Sequence, residues 1–245
     1  MKFSLVPLFW IILAGVTLLS TFPARTEPSS STREPAPQSA TAVTWSYKYL
    51  GAETNYGKNQ GVRAEIIVTN PGVPHNGTYS DFFYAWIMIY SRSRTKWIQI
   101  GWAEASWKSD TQYVTEYDTE HNTWNFYTQY ALTTGHSYSF AISYQGSGRW
   151  ATWIWWNNQW NQLTQASIGL YSAELTGEFC EVCTSNSNWF HVPNTRFYST
   201  YLLINDQWSP WTTQYSTIPY NSNPPYYVYW SPSYYGWYMH ESGSA

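Results

Sequence analysis

The feature that most constrains this chain is a series of short segments rich in β-branched and aromatic residues, separated by turn-forming residues. Beyond residue 42, no segment shows the sustained three-to-four spacing of apolar residues that is typical of an amphipathic helix. The pattern predicts antiparallel strands over residues 62–69, 82–90, 97–102, 112–118, 124–132, 137–144, 150–156, 168–179, 196–204 and 226–230. So many short strands without helices predict an all-β, two-sheet antiparallel sandwich or jelly roll.

The N-terminus has the composition of an export signal. Lys2 precedes an almost wholly apolar stretch over residues 3–22, and small residues follow before Arg25. We predict a signal peptide over residues 1–24, a Ser/Pro-rich linker or pro-segment over 25–42, and the β-sandwich domain over 43–245. The protein is then secreted, and it contacts a membrane only if the apolar stretch is retained as an anchor. Asn76-Gly77-Thr78 is a glycosylation sequon.

Charged residues are scarce, at 11% of the chain, against about a quarter in an average soluble protein. Lys and Arg number 12 and Asp and Glu 15, so the net charge is −3 and no basic field exists. Nucleic acid is therefore not an expected partner. The five histidines are scattered without metal-ligand spacing, so we expect no metal or other cofactor. We expect a monomer.

Two predicted strands carry polar residues where a buried strand normally carries Val or Ile. Gln99 lies between apolar neighbours, and period-two alternation directs Glu174 and Glu178 to one face and Gly177 and Phe179 to the other. On a shared sheet face, an amide can hold a developing oxyanion while a carboxylate activates water, which is the chemistry of peptide hydrolysis. The spacing alone also fits two solvated polar residues on an outer face.

The two cysteines form the sequence Cys180-Glu-Val-Cys183, after a predicted strand and before the turn-forming run 184–188. A thioredoxin-type redox motif would need a βαβ context, and a zinc site would need two further ligands. We therefore predict a local disulfide that pins the end of a hairpin in an exported protein.

Glu116, Asp118 and Glu120 alternate along another predicted strand, so the three carboxylates share one face. Their spacing is similar to that of laminarinase-type glycoside hydrolases, in which the first carboxylate is the nucleophile and the last the acid/base. His121 follows at once, which departs from that pattern because the strand is already turning there.

Aromatic residues make up 20% of the chain. Rings at alternating positions in residues 150–160 and 226–230 predict either glycan stacking, as in a carbohydrate-binding module, or packing in the core and cleft walls. The sequence leaves both interpretations open.

Several short blocks occur in the order of a known family. They are residues 61–68 with Pro71, residues 85–89, residues 98–101, Ala173-Glu174 with Glu178, and Val192-Pro193 with Phe197. Together they resemble the eqolisins, the glutamic peptidases, which are secreted β-sandwich proteins that work in acid. The resemblance covers a little over half of the chain and implies a concanavalin-like jelly roll. Tyr90 departs from it, because the family has an aspartate there, and the family's N-terminal tryptophan-glycine-glycine is missing.

The resemblance implies catalytic roles for Gln99 and Glu178. Glu178 would be the general base and then the general acid, and Gln99 would donate to the oxyanion and hold the water. The substrate-binding residues that we expect in the cleft are Trp86, Trp97, Glu116 and Glu174.

The predicted function is thus a secreted, acid-acting endopeptidase with polypeptide substrates. The alternative is a sandwich that binds glycans on exposed tryptophans, or hydrolyses them with Glu116, Asp118 and Glu120.

Overall fold

A computed structural model describes residues 31–35, 46–75, 81–109, 111–184, 189–231 and 235–241. The signal peptide and the Asn76-Gly77-Thr78 sequon lie outside the described residues, and both stay predictions. Across these ranges, no helix is long and apolar enough to cross a membrane.

Strands dominate the described part of the chain, and a single 3-10 turn over Thr213–Tyr215 is its only helical element. The strands are β1 (Ser31–Pro35), β2 (Ser46–Thr54), β3 (Gly61–Ile67), β4 (Phe82–Tyr90), β5 (Trp97–Ala105), β6 (Tyr113–Asp118), β7 (Thr123–Tyr127), β8 (Ser137–Tyr144), β9 (Trp150–Trp156), β10 (Gln159–Ala166), β11 (Leu175–Thr184), β12 (Thr195–Ile204), β13 (Gln207–Pro210), β14 (Thr217–Tyr220), β15 (Ser222–Asn223), β16 (Tyr226–Trp230) and β17 (Trp237–Glu241).

The strands form two antiparallel sheets that are not closed into a barrel. The eight-stranded sheet has the order β1-β7-β6-β5-β4-β11-β2-β14. The nine-stranded sheet has the order β10-β9-β8-β3-β12-β17-β16-β15, and β13 pairs with β12 beside it. The predicted all-β, two-sheet fold class is confirmed.

The core lies between the two sheets, where each strand contributes every second residue. On β4 and β5, Ile87 and Ile100 point inward and are fully buried, whereas Trp86 and Gln99 point to the opposite face. One face of the eight-stranded sheet packs in the core, and the other face carries aromatic and polar side chains. This division positions the candidate site.

The strand predicted over residues 168–179 begins at Leu175 and continues to Thr184. Seven strands of the structure were not predicted, namely β1, β2, β10, β13, β14, β15 and β17. Ser31–Pro35, inside the predicted linker, pairs with β7 at the sheet edge. Main-chain hydrogen bonds suffice for such an edge strand, so a segment without large apolar side chains can form it.

The predicted disulfide between Cys180 and Cys183 is wrong. Both residues carry thiols, and β11 runs straight through them, paired with β2 on one side and β4 on the other. Cys180 packs in the core between the sheets, and Cys183 packs in the cluster on the opposite face. Residues three apart in a strand point to opposite faces with α-carbons about 10 Å apart, too far for a bridge.

Reducing agent should therefore leave the thermal unfolding midpoint unchanged. We expect two titratable thiols per chain in denaturant, and slow or no titration in the native protein because both side chains are buried. A midpoint that falls by several degrees in dithiothreitol would contradict this arrangement.

Candidate active site

A groove of about 700 Å³ lies on the face of the eight-stranded sheet that is turned away from the second sheet. Its walls are largely aromatic, and its polar groups are one amide, two carboxylates, a guanidinium and several tyrosine hydroxyls. The described lining residues are Tyr47, Tyr49, Glu53, Phe82, Trp86, Met88, Tyr90, Arg94, Trp97, Gln99, Tyr117, Trp124, Phe179, Glu181 and Tyr220.

Strand register places Gln99 and Glu53 in one row across the groove floor. Gln99 on β5 lies opposite Met88 on β4, and Met88 lies opposite Gly177 on β11. Gly177 in turn lies opposite Glu53 on β2. The α-carbons of Gln99 and Glu53 are therefore three strand spacings apart, about 14 Å. Gly177 has no side chain, and the ring of Phe179 covers its position, so the Met88 side chain and the Phe179 ring form the floor between the two polar groups.

Gln99 is 6% exposed and reaches the groove between two aromatic neighbours. Tyr117 lies opposite it on β6, and the hydroxyl of the buried Tyr84 lies beside its amide. Burial raises the pKa of Tyr84 well above its usual value, and the contacts with Gln99 and Thr115 offset part of that rise. The Tyr84 hydroxyl donates to the Thr115 carbonyl at 2.9 Å, which fixes the ring under the amide.

Glu53 is the first of the two groove carboxylates. It is 6% exposed, its Oε2 accepts a hydrogen bond from the Tyr90 hydroxyl, and Arg94 Nη2 lies 3.2 Å from the same oxygen. Arg94 is 63% exposed, so it approaches the carboxylate from the groove mouth. The acidic group beside Tyr90 in the groove is thus Glu53.

Glu181 is the second groove carboxylate and lies farther along the same sheet face. Tyr49 on the neighbouring strand donates its hydroxyl to Glu181 Oε1 at 2.9 Å. Burial raises the pKa of Glu181 to about 7, and interactions with Tyr49 and the Trp86 indole offset part of the rise. The side chain is thus neutral in acid and charged only above neutral pH.

Glu178 does not reach the groove. It is fully buried on the inner face of β11, beside Cys180 and Val182, and Thr200 of the second sheet donates to its Oε2 at 2.8 Å. Burial raises its pKa to about 8, an effect that Thr200 and Trp237 partly offset. The prediction that Glu178 and Gln99 meet in an open groove is wrong, because the two side chains lie on opposite faces of one sheet.

The Glu116-Asp118-Glu120 series also lies away from the groove. Glu116 is fully buried on the inner face of β6, where the Asn125 amide donates to it and the Tyr127 hydroxyl lies 3.5 Å away. Asp118 is buried too, and Glu120 falls in the turn after the strand. The expected cleft position of Glu116 and the shared catalytic face of the three carboxylates are both wrong, since the interior side of this strand packs on the second sheet.

Of the four predicted substrate residues, the structure places Trp86 and Trp97 in the groove and Glu116 and Glu174 outside it. Trp86 packs on Phe179 with ring centroids 5.0 Å apart, and Trp97 stacks on Tyr117 at 5.4 Å. Glu174 precedes β11, accepts a hydrogen bond from the Arg92 N–H at 2.8 Å, and is not among the described lining residues. The substrate contacts of the two tryptophans stay predictions.

One group of described residues has the donor atoms for a metal ion. Oxygen or nitrogen atoms of Asp118, Glu120 and His121 lie within 4.8 Å of one another. Asp118 already accepts hydrogen bonds from the backbone N–H and the ring of His121, both at 2.8 Å. The Ser167 N–H also donates to Glu120. These contacts account for the group as a capped turn, separate from the groove.

Sequence reasoning missed Glu53 and Glu181. A signal for Glu181 was present, because Phe179 and Glu181 continue one alternating face if β11 is extended through the cysteines. The signal for Glu53 was weaker. Glu53 lies near the end of a segment in which Tyr47 and Tyr49 alternate with smaller residues, and that segment was not predicted as a strand.

The protein is an antiparallel β-sandwich with an aromatic groove on one sheet. Among solved structures, it is similar to scytalidoglutamic peptidase with a peptide-based transition-state analogue, with a TM-score of 0.59 and 14% sequence identity. That match covers 81% of this chain and 100% of the other. It is also similar to SCP-B, an eqolisin-family peptidase in complex with the tripeptide Ala-Ile-His, with a TM-score of 0.55, 13% identity and the same coverages.

These likenesses confirm the eqolisin resemblance at the level of the fold. No protein-family model and no curated protein matches the sequence. The similar structures are distant in sequence, so the chemistry of the groove rests on the residues of this chain.

Proposed function

We propose that this protein is an exported hydrolase that cleaves peptide bonds in the groove of the eight-stranded sheet. One observation carries the proposal: the buried amide of Gln99 faces the same groove as the carboxylates of Glu53 and Glu181. An amide and a carboxylate on one groove surface are the two groups that water-mediated peptide hydrolysis requires.

The chemistry assigns the amide and the carboxylate different tasks. The Gln99 side-chain N–H stabilises the oxyanion that forms when water adds to the peptide carbonyl, and it does so without adding a charge. A groove carboxylate takes a proton from that water and later passes it to the leaving amine. The described lining residues include no Ser, Cys or His, which supports water as the nucleophile.

An extended polypeptide is the substrate class that the groove surface favours. Trp86 and Phe179 form an apolar floor, and Trp97 with Tyr117 forms a stacked wall. Planar rings of this kind bind apolar side chains through large contact areas. The peptide-based analogue and the tripeptide in the two similar structures belong to the same ligand class.

We propose an acidic working range. Burial raises the pKa of Glu181 to about 7, so in acid this residue is protonated and can donate a hydrogen bond to a substrate carbonyl. Above neutral pH it becomes a buried anion, which repels further negative charge developing in the groove.

Purified protein should therefore release peptides from denatured casein at pH 4 and far more slowly at pH 8. Mass spectrometry of the products identifies the new N-termini, and β-glucans incubated in parallel should yield no sugars. A preparation of Gln99→Ala made in the same way controls for contaminating proteases. Absence of peptide release from pH 2 to pH 8, or release of sugars instead, would refute the proposal.

A further inference from the structure

We propose that Glu53, on β2, is the carboxylate that activates water in this groove. This inference rests on the proposed peptide hydrolysis and adds the residue that performs the proton transfer. The resemblance implied this role for Glu178. The Glu178 side chain lies in the core instead, where Thr200 donates a hydrogen bond to it.

Gln99 and Glu53 lie in one row across the groove floor. Of the two groove carboxylates, only Glu53 shares the row of Gln99, because β11 contributes Gly177 at that level. Glu181 lies four residues farther along β11, in the row of Tyr49 and Tyr84.

A hydrogen bond across the sheet fixes the position of the Glu53 carboxylate. Its Oε2 accepts a hydrogen bond from the hydroxyl of Tyr90, and Tyr90 belongs to β4, two strands away. Tyr90 lies opposite Leu175 in the register, so this contact crosses over β11 beside Gly177. The carboxylate is thus held on the groove face between β2 and β4, beside the Phe179 ring that covers Gly177.

Position 177 on β11 has no room for a larger side chain. A Cβ built on Gly177 would lie 2.3 Å from the ring of Phe179, so a larger residue would have to displace that ring. Because the Phe179 ring fills this space, β11 cannot carry an acidic side chain at position 177. The acidic side chain in this row comes from the neighbouring strand β2.

The resulting gap suits the reaction. The α-carbons of Gln99 and Glu53 are about 14 Å apart, and each side chain reaches roughly 4–5 Å. Extended toward each other, the amide and the carboxylate leave about 5 Å between them. A peptide carbonyl and one water molecule fit that width above Met88 and the Phe179 ring, whereas Glu181 lies two rows farther from Gln99, beyond Trp86 and in the row of Tyr84.

Arg94 and Tyr90 act as positioning residues for this carboxylate. Both contact Oε2, which leaves Oε1 to meet the water. In the reaction, Glu53 takes a proton from water while the water oxygen bonds to the carbonyl carbon and the oxyanion accepts from Gln99. Glu53 then returns the proton to the peptide nitrogen, and the C–N bond breaks to give a carboxylic acid and an amine.

The test compares Glu53→Gln with Glu65→Gln, a control on the half-buried outer side of β3 that is not among the described groove residues. With a fluorogenic peptide at pH 4, Glu53→Gln should lower kcat at least 100-fold with KM within about threefold, as expected for loss of a general base. Glu65→Gln should keep the wild-type kcat and KM. Formate added to Glu53→Ala should restore part of the lost rate, an effect that a merely structural role would not produce.

The outcomes separate the two proposals. Wild-type protein that cleaves no peptide overturns the proposed function itself. Wild-type protein that cleaves while Glu53→Gln keeps its kcat overturns only the assignment of Glu53. If Glu53→Gln unfolds, Glu53→Asp decides: it retains the pair with Arg94 but shortens the reach, and an unchanged kcat in that variant overturns the assignment.

Discussion

Replacing Gln99 with alanine should lower kcat for peptide cleavage about 100- to 1,000-fold while KM stays nearly unchanged. The Gln99 amide is placed to donate to the oxyanion, which exists only in the transition state and the intermediate. Removing one such donor costs about 3–4 kcal/mol of transition-state stabilisation. Steady-state kinetics with a fluorogenic peptide at pH 4 measure both constants.

A glutamine from the other sheet provides the matched control. Gln162 on β10 is half-buried, and within the described part of the chain its side chain donates a hydrogen bond only to the nearby Thr164 carbonyl. Gln162→Ala should therefore leave kcat unchanged. Near-ultraviolet circular dichroism shows whether the tryptophan-rich groove is intact in each variant. A Gln99→Ala protein that is folded and fully active would exclude the amide from the chemistry.

Local patterns were sufficient for the fold class. Period-two alternation is written into each strand, and four predicted strands, including β4 and β8, have the bounds that the structure gives them. Gln99 was directed to the correct face because its neighbours Ile98 and Ile100 are strongly apolar and must face the core.

The same logic could not orient β11, because both of its faces are mixed. One face carries Phe179 and Glu181, and the other carries Glu178 and Val182. Each face combines apolar residues with one acid, so sequence alone does not tell which side packs on the second sheet. A shift of one residue reverses every side chain of a strand, and the short match at Ala173-Glu174 was not enough to prevent that error.

The place of Glu53 depends on contacts between distant parts of the chain. β2 pairs with β11, more than 100 residues later, and it is this pairing that sets Glu53 beside Gly177. No local pattern encodes such a register. The missed carboxylate therefore reflects long-range strand pairing rather than a misread motif.

The protein should be several kcal/mol more stable at pH 4 than at pH 8, because two buried glutamates retain their protons in the native state. Burial raises the pKa of Glu178 to about 8 and that of Glu181 to about 7, from 4.5. Below pH 4.5 the native and unfolded states both hold these protons. Above it the unfolded chain releases them first, so the free energy of unfolding falls as pH rises toward 8. Glu178 alone accounts for on the order of 4 kcal/mol.

Urea denaturation at pH 4, 6 and 8 measures this dependence, and Glu178→Gln isolates the larger contribution. The amide is nearly isosteric and neutral at every pH, and its oxygen can still accept from Thr200. Glu178→Gln should therefore be more stable than wild type at pH 8 and lose most of the slope, while Glu65→Gln, on the half-buried outer side of β3, should retain it. A wild-type free energy of unfolding that is flat across this range would contradict a neutral Glu178.

The same variant also tests which face of β11 meets the substrate. Because Glu178 is in the core, Glu178→Gln should cleave peptides as fast as wild type at pH 4. A folded but inactive Glu178→Gln would mean that this carboxylate, rather than Glu53, reaches the substrate.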